Sequence, residues 1–371
     1  MRVLHLLSST GFHGAESMTA ELVRQQAAAG VAIHVAAFDN GGPGNTEVIE
    51  AVAGAAQGVS RIPCAGPLDA QAFRQLNDYI RTHQIDLVHS HKYKTTFYAL
   101  PGKWARRFKL VTTYHNWLTH TRALQAYAAL DKRLARFNDA AIAVSTPVAQ
   151  ELRRHVPAHK VHQIDNGIDT QRFQRQMSPE AAKQALGLDP ARPVLGFVGR
   201  LSDEKGLPYL LEALAHHMPS QASLQVIIVG EGDARPALQA QIQQLGLGKQ
   251  VHLLGNRRDT PLIYSAMDVF VLPSVLEAFP MVLLEAMSCG CPVVATDVGE
   301  VSRIIKTNQT GIMTPSRSPE ALGQAIQDLL ANPQWAHRMG QDASARVSAM
   351  FSAQAMAQQY LRVYQGCFSP G

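Results

Sequence analysis

The chain alternates short apolar runs with longer stretches in which apolar residues recur at helical spacing. Residues 3–7 (V-L-H-L-L) read as a strand, 15–29 as a helix with Gly30 at its C-cap, and 31–38 (V-A-I-H-V-A-A-F) as the next strand. I-D-L-V-H-S (85–90), L-V-T-T-Y-H (110–115) and A-A-I-A-V-S (140–145) continue the rhythm, with helical sequence between them. Apolar runs joined by helices predict an α/β domain with a parallel sheet covered on both faces.

The rhythm breaks over 170–193, a polar stretch with Pro179, Pro190 and Pro193 that reads as an interdomain linker. A second series follows: V-L-G-F-V-G (194–199), L-Q-V-I-I-V-G (224–230), V-H-L-L-G (251–255), V-F-V-L-P (269–273) and P-V-V-A-T (292–296). It predicts a second parallel sheet. The expected organisation is an N-terminal domain over 1–170, a linker over 171–193, a C-terminal domain over 194–350 and a helix within 351–371 packing toward the N-terminal domain. In that helix Met356, Tyr360 and Tyr364 recur every four residues and form one apolar stripe. The 371 residues suit two domains of roughly 150–190 residues each. Two such sheets in tandem predict a cleft between them, with ligands at the carboxyl ends of the strands.

An apolar share of 46% with 17% charged residues excludes a disordered chain. No run of 18 apolar residues offers a transmembrane helix. The opening M-R-V-L-H-L-L-S-S-T-G has no small-residue cleavage site and reads as a buried strand rather than a signal peptide. Cys64, Cys289, Cys291 and Cys367 form no C-x-x-C pair, and Cys289 and Cys291 are too close for zinc spacing. All four read as buried thiols of a reducing compartment.

Charge changes the picture more. Residues 1–190 carry a net +6 and the remainder −1. Within 92–136, Lys92, Lys94, Lys103, Arg106, Arg107, Lys109, Arg122, Lys132, Arg133 and Arg136 stand against Asp131 alone. Such a cluster calls for an anionic partner. Trp104, Phe108 and Trp117 interleave with the cations, which favours an anionic membrane surface. Nucleic acid is not expected, because no recognised binding module accompanies the charge. A solvated basic face accounts for the same residues.

The segment S-V-L-E-A-F-P-M-V-L-L-E-A-M carries the strongest chemistry. Glu277 falls in a loop after a strand, and Glu285 about one turn into a helix that starts near Met281. The N–H groups of Phe279, Met281 and Val282 around Pro280 would be free to hold an anion such as a diphosphate. A carboxylate on either side can accept hydrogen bonds from sugar hydroxyls. Acids also simply favour helix starts. In F-V-G-R-L-S-D-E-K-G, Arg200 and Lys205 follow a strand and suit the same diphosphate, though Asp203 and Glu204 could pair with either. The loop S-S-T-G-F-H-G-A-E-S holds Gly11 and Gly14 before a helix but is not a dinucleotide fingerprint. V-G-E-G-D around Gly230, L-L-G-N-R-R around Gly255 and I-D-N-G-I-D (164–169) are turns at strand ends. His89 and His91 share one strand face, and with His115 a three-histidine metal site is conceivable; histidines lining a cleft are the better reading, and no metal is expected.

Together these motifs resemble the retaining glycosyltransferases of the GT-B fold, in particular glycosyltransferase family 4. The resemblance runs from H-G-A-E to V-A-T-D-V-G-E-V and is densest over 194–312. It implies two Rossmann-like domains facing across a deep cleft and transfer from a nucleotide sugar, with a UDP-sugar the expected donor. It assigns Glu285 to the ribose and Glu277 to the donor sugar. Arg200 and Lys205, with the backbone at Phe279, Pro280, Met281 and Val282, would hold the diphosphate. Gly255, Asn256 and Arg257 would edge the base near Gly230. Gly14, Ala15 and Glu16 would approach the phosphate, and His115 would line the reaction centre. His89, His91, Lys92, Lys94 and Asn116 are expected on the acceptor side. The implied mechanism is front-face displacement with charge stabilisation and no metal or other cofactor. The implied acceptor is a glycan or a lipid-linked molecule of bacterial lipopolysaccharide or surface polysaccharide synthesis, met in the cytoplasm or on the inner face of its membrane. A same-fold epimerase or phosphorylase, or a non-catalytic binding protein, is the alternative. Ala278 where glycine is common, and Asp165 where proline often precedes Asn-Gly, depart from the family pattern without removing a charged group.

Overall fold

A computed structural model describes residues 1–8, 14–42, 47–66, 68–91, 93–106, 108–115, 122–218 and 223–369. It divides into two compact units, Met1–Gly167 with Ala353–Gly371, and Ile168–Ser352.

The first unit holds β1 (Arg2–Ser8), β2 (Ala32–Asp39), β3 (Gly58–Pro63), β4 (Leu87–His91), β5 (Lys109–Tyr114), β6 (Ala140–Ala143) and β7 (Val161–Gln163). They form one parallel sheet in the order β3-β2-β1-β4-β5-β6-β7. Alternation along β1 sorts its residues to two faces. Leu4 and Leu6 join a core with Leu76, Ile80 and Leu100. Val3 and Leu7 join another with Met18, Leu22, Met356, Tyr360 and Tyr364. The helix Ala353–Gly366 therefore seals one face of the first sheet.

The second unit holds β8 (Val194–Val198), β9 (Gln225–Val229), β10 (Val251–Gly255), β11 (Val269–Leu272), β12 (Val293–Thr296) and β13 (Ile312–Thr314), in the order β10-β9-β8-β11-β12-β13, again all parallel. Residues of β8, β9, β11 and β12 are buried throughout, as expected of strands with helices on both faces. The stretch 171–193, read from sequence as a linker, contains the helix Pro179–Ala185 and belongs to this unit. Pro179 opens the helix rather than breaking it. Lys183 anchors the helix through a shielded ion pair with Asp268, 2.7 Å away.

In each sheet the order reverses once, between β1 and β4 and between β8 and β11. Strands on either side of such a point send their following loops apart and leave a crevice at their carboxyl ends.

Candidate functional site

In the second unit, the switch point brings together two of the sequence-predicted charges. Lys205 ends a short 3-10 turn, Asp203–Lys205, after β8, and Glu277 lies in the loop after β11. Lys205 Nζ stands 2.7 Å from Glu277 Oε1, and the Ser274 hydroxyl donates to the same oxygen at 2.7 Å. The side chains are largely shielded, at 17% and 8% exposure. The two loops are laced together, since Val275 N–H donates to the Glu204 carbonyl at 2.8 Å. Gly206 makes the approach possible: its φ is +63°, and a Cβ there would lie 2.1 Å from the Pro273 carbonyl oxygen. Arg200 takes another partner, the Glu204 carboxylate, on the exposed side of the loop.

Pro280 caps the helix Met281–Ser288, whose first N–H groups have no intrahelical acceptor, so Met281 and Val282 present donors at its start. Phe279 and Pro280 are buried. Glu285 lies in the second turn, and the buried Tyr264 hydroxyl donates to its Oε2 at 2.9 Å. Burial raises the Glu285 carboxyl above the usual carboxylate range; the Tyr264 hydrogen bond and the positive charge of Arg172 oppose that shift.

The glycine turns stack along the same sheet edge. Gly199 N–H donates to the Val229 carbonyl at 2.9 Å, and Gly230 N–H to the Gly255 carbonyl at 2.8 Å. Gly230 has φ +137°, and a Cβ there would meet the Gly199 carbonyl oxygen at 1.9 Å. Asn256 is exposed, and Arg257 is forked onto Asp259, with Nε 2.8 Å from Oδ1.

In the first unit, Gly14 and Ala15 open the helix Gly14–Ala28, and Glu16 on it is buried. His115 directly follows β5. Lys94 is half-buried, and Lys92 and Asn116 lie outside the described residues, as do Gly11 and Trp117. His89 and His91 share a face, as the spacing predicts, but they are buried inside the unit rather than lining a cleft. The third histidine beside them is His5, not His115, since β1 pairs with β4. His5 Nε2 donates to Gln26 Oε1 at 2.8 Å, so its Nδ1 accepts from His91 Nε2 at 3.0 Å. Gln26 Nε2 donates to the Tyr364 hydroxyl at 3.2 Å, which in turn donates to His89 Nδ1 at 2.6 Å. His89 Nε2 then donates to Thr113 Oγ1 at 2.8 Å. Ring nitrogens of the three histidines fall within 4.8 Å of one another, but these neighbours already engage them, and the chemistry fits a neutral hydrogen-bonded chain better than a metal centre. Burial holds the His5 pKa down, to about 4, and places that of His89 well below its ordinary value.

The basic stretch is partly neutralised. Lys103 and Lys109 share Asp139 at 2.8 and 3.7 Å, and Lys132 pairs with Glu151 at 2.6 Å. Phe108 is buried in the core and offers nothing to a membrane, whereas Trp104 is 63% exposed.

Sequence reasoning missed Ser274, Tyr264 and His5. Ser274, directly after the strand and three residues before Glu277, carried the clearest signal.

Two Rossmann-like units with acids and cations at a switch point define a GT-B glycosyltransferase architecture. Residues 12–172 match Glycosyltransferase Family 4, and residues 178–346 match Glycosyl transferases group 1. The chain is 31% identical over 241 residues to the lipopolysaccharide core biosynthesis mannosyltransferase LpsB of Rhizobium meliloti, covering 63% of this chain and 67% of that protein. It is 32% identical over 244 residues to the alpha-D-kanosaminyltransferase of Streptomyces kanamyceticus, covering 63% of this chain and 62% of that protein. The crystal structure of Anabaena Alr3699/HepE in complex with UDP superimposes with a TM-score of 0.84 at 25% identity, covering 99% of this chain and 100% of that one. The chain belongs to glycosyltransferase family 4, of the glycosyl transferases group 1, and is a transferase.

Proposed function

We propose that this glycosyltransferase moves a sugar from a UDP-sugar to a glycan or lipid-linked acceptor with retention of configuration and without a metal ion. The observation that carries the reading is the Lys205–Glu277–Ser274 cluster at the second switch point, in the same unit as the helix that bears Glu285. The UDP held by the HepE protein and the lipopolysaccharide role of LpsB support the donor and the setting.

In this reading the Glu285 carboxylate accepts hydrogen bonds from the ribose hydroxyls, with Tyr264 fixing its rotamer. Gly230, Gly255, Asn256 and Arg257 border the base through their backbone. The diphosphate meets Arg200, Lys205 and the N–H groups of Met281 and Val282. Lys205 is then shared between phosphate and Glu277, and Glu277 turns to hydroxyls of the donor sugar. As the sugar–phosphate bond breaks, negative charge grows on the leaving phosphate, where the two cations and the helix N-terminus stabilise it. The acceptor hydroxyl attacks from that same face and its proton passes to the leaving phosphate oxygen. Gly14, Ala15, Glu16 and His115 are assigned to the donor phosphate and reaction centre from the first unit. Trp104 and the basic residues of the stretch 92–136 are assigned to an anionic membrane surface.

Calorimetric titration with UDP, GDP, ADP and CMP tests the donor. Selective binding of UDP, lost in Glu285→Ala, is expected; failure of all four, or equal binding in the variant, overturns the assignment. Turnover undiminished in EDTA and an axial product bond from an axial donor, read by proton NMR, are expected as well.

A further inference from the structure

At the carboxyl ends of β1, β2 and β3 in the first unit lies a cavity of about 570 Å³, within the range of small-ligand sites. Ser8, Asn40 and Cys64, at the ends of those three strands, form its floor, and Tyr93 and Lys94 join it just after β4. It therefore flanks the first sheet's own switch point, the ligand-bearing position of an open α/β sheet.

Its walls are apolar, and their apolar side chains continue onto the surface. Tyr93 and Tyr127 stack with ring centroids 5.1 Å apart, and Phe97, Leu68, Leu130 and Leu134 complete the lining. Of these, Leu68, Tyr93, Phe97, Tyr127 and Leu130 are exposed, Leu68 at 80%. A contiguous group of exposed large apolar residues around an enclosed space marks a ligand groove. Two charged residues line it, Lys94 and Asp131. Asp131 is only 4% exposed, whereas Lys94 is half-buried among the lining residues, with Nζ 5.6 Å above the Phe38 ring.

We infer that this cavity binds the acceptor, and that the acceptor is an amphiphile: an apolar chain seated among Tyr93, Phe97, Tyr127 and the leucines, joined to a phosphate or carboxylate held by Lys94. The inference rests on the transferase reading above and adds to it the acceptor's chemical class and its seat.

Decyl phosphate, below its micelle concentration, is the probe. Calorimetric titration of the full chain is expected to show binding, with decanol about tenfold weaker and inorganic phosphate weaker still. Lys94→Gln is expected to weaken decyl phosphate about tenfold and leave decanol unchanged, since a hydrogen bond to a charged group is worth roughly that factor. Leu134→Trp, which fills the cavity, is expected to abolish both. Near-UV circular dichroism and scanning calorimetry of every variant report that the first unit is intact, and UDP titration reports on the second. Decanol as tight as decyl phosphate, tighter binding of decyltrimethylammonium, or indifference to Leu134→Trp overturns the inference. So does loss of co-sedimentation with phosphatidylglycerol vesicles in Leu134→Trp, which would make a bilayer lipid the occupant. UDP binding without decyl phosphate binding overturns the cavity alone, and the converse overturns the donor reading alone.

Discussion

Lys205 Nζ lies 2.7 Å from Glu277 Oε1, so the cation assigned to the diphosphate and the carboxylate assigned to the sugar neutralise each other before either meets a ligand. Both side chains are largely withdrawn from water, and such a pair is costly to break from one side only. Lys205→Met leaves the Glu277 carboxylate with Ser274 alone. We expect a loss of about 2–4 kcal/mol, a melting temperature lower by about 5–10 °C, and transfer reduced at least a hundredfold. Scanning calorimetry should show the double variant Lys205→Met/Glu277→Gln melting above the single one while remaining inactive. Equal melting of the two would mean that the unpaired Glu277 carboxylate carries no penalty.

Glu285 separates binding from stability. Its carboxyl is held above the usual range chiefly by burial, so the folded protein favours the protonated form. A raised carboxyl pKa contributes stability that is full below the unfolded value near 4.5 and is lost as the pH rises through the folded value. In the proposed reading, ribose binding needs the carboxylate. UDP affinity should therefore fall on acidification, beginning above pH 4.5. Glu285→Gln should bind UDP at least tenfold more weakly at pH 7.5 yet melt no lower than the parent, and its UDP affinity should lose the acid limb. Titrations from pH 5 to 8 check both.

Gly230 tests the stacked turns. Alanine there places a Cβ 1.9 Å from the Gly199 carbonyl oxygen at a φ of +137°, and the loops after β8 and β9 must part. Gly230→Ala should lose UDP binding by tenfold or more, with Arg200 and Lys205 chemically unchanged. Gly187→Ala, also at positive φ but with open space around its Cβ position, should lose stability only.

The buried histidines predict an acid limit to the fold. The unfolded chain takes up a proton at His5 near pH 6.5, and the folded one resists until about pH 4. Stability from the lowered pKa is full above 6.5 and disappears as the pH falls toward 4, on the order of 3 kcal/mol for His5 alone. Melting temperatures at pH 7.5 and 5 should differ by several degrees. Tyr364→Phe removes the hydroxyl between Gln26 and His89 and should cost about 1–3 kcal/mol at pH 7.5. A melting curve unmoved by either change would show that the chain of hydrogen bonds is not holding the helix.

The strand series and both charged loops were legible because buried parallel strands leave long apolar runs and because the acids, cations and glycines follow those runs directly. β3 escaped because edge position alternates its exposure, and β7 and β13 because three residues carry no period. The helix Pro179–Ala185 was hidden by its own N1 proline. Which charges pair was not legible. Arg200 found Glu204 four residues away, whereas Lys205 found Glu277 seventy-two residues away, a choice made by strand order. The same holds for His5, whose place beside His89 is fixed by β1 lying against β4, and for Tyr264, whose hydroxyl reaches Glu285 from another helix.

The helix Ala353–Gly366 belongs to the first unit, yet residues 168–352 are synthesised between it and the sheet it seals. At ordinary synthesis rates that interval lasts roughly 10–40 s. Throughout it, Val3, Leu7 and Leu87 lack the cover of Met356, Tyr360 and Tyr364, and His89 lacks the hydroxyl that accepts from Gln26. The sheet that is made first is thus closed last. A nascent chain must carry that open apolar face past the making of an entire second unit.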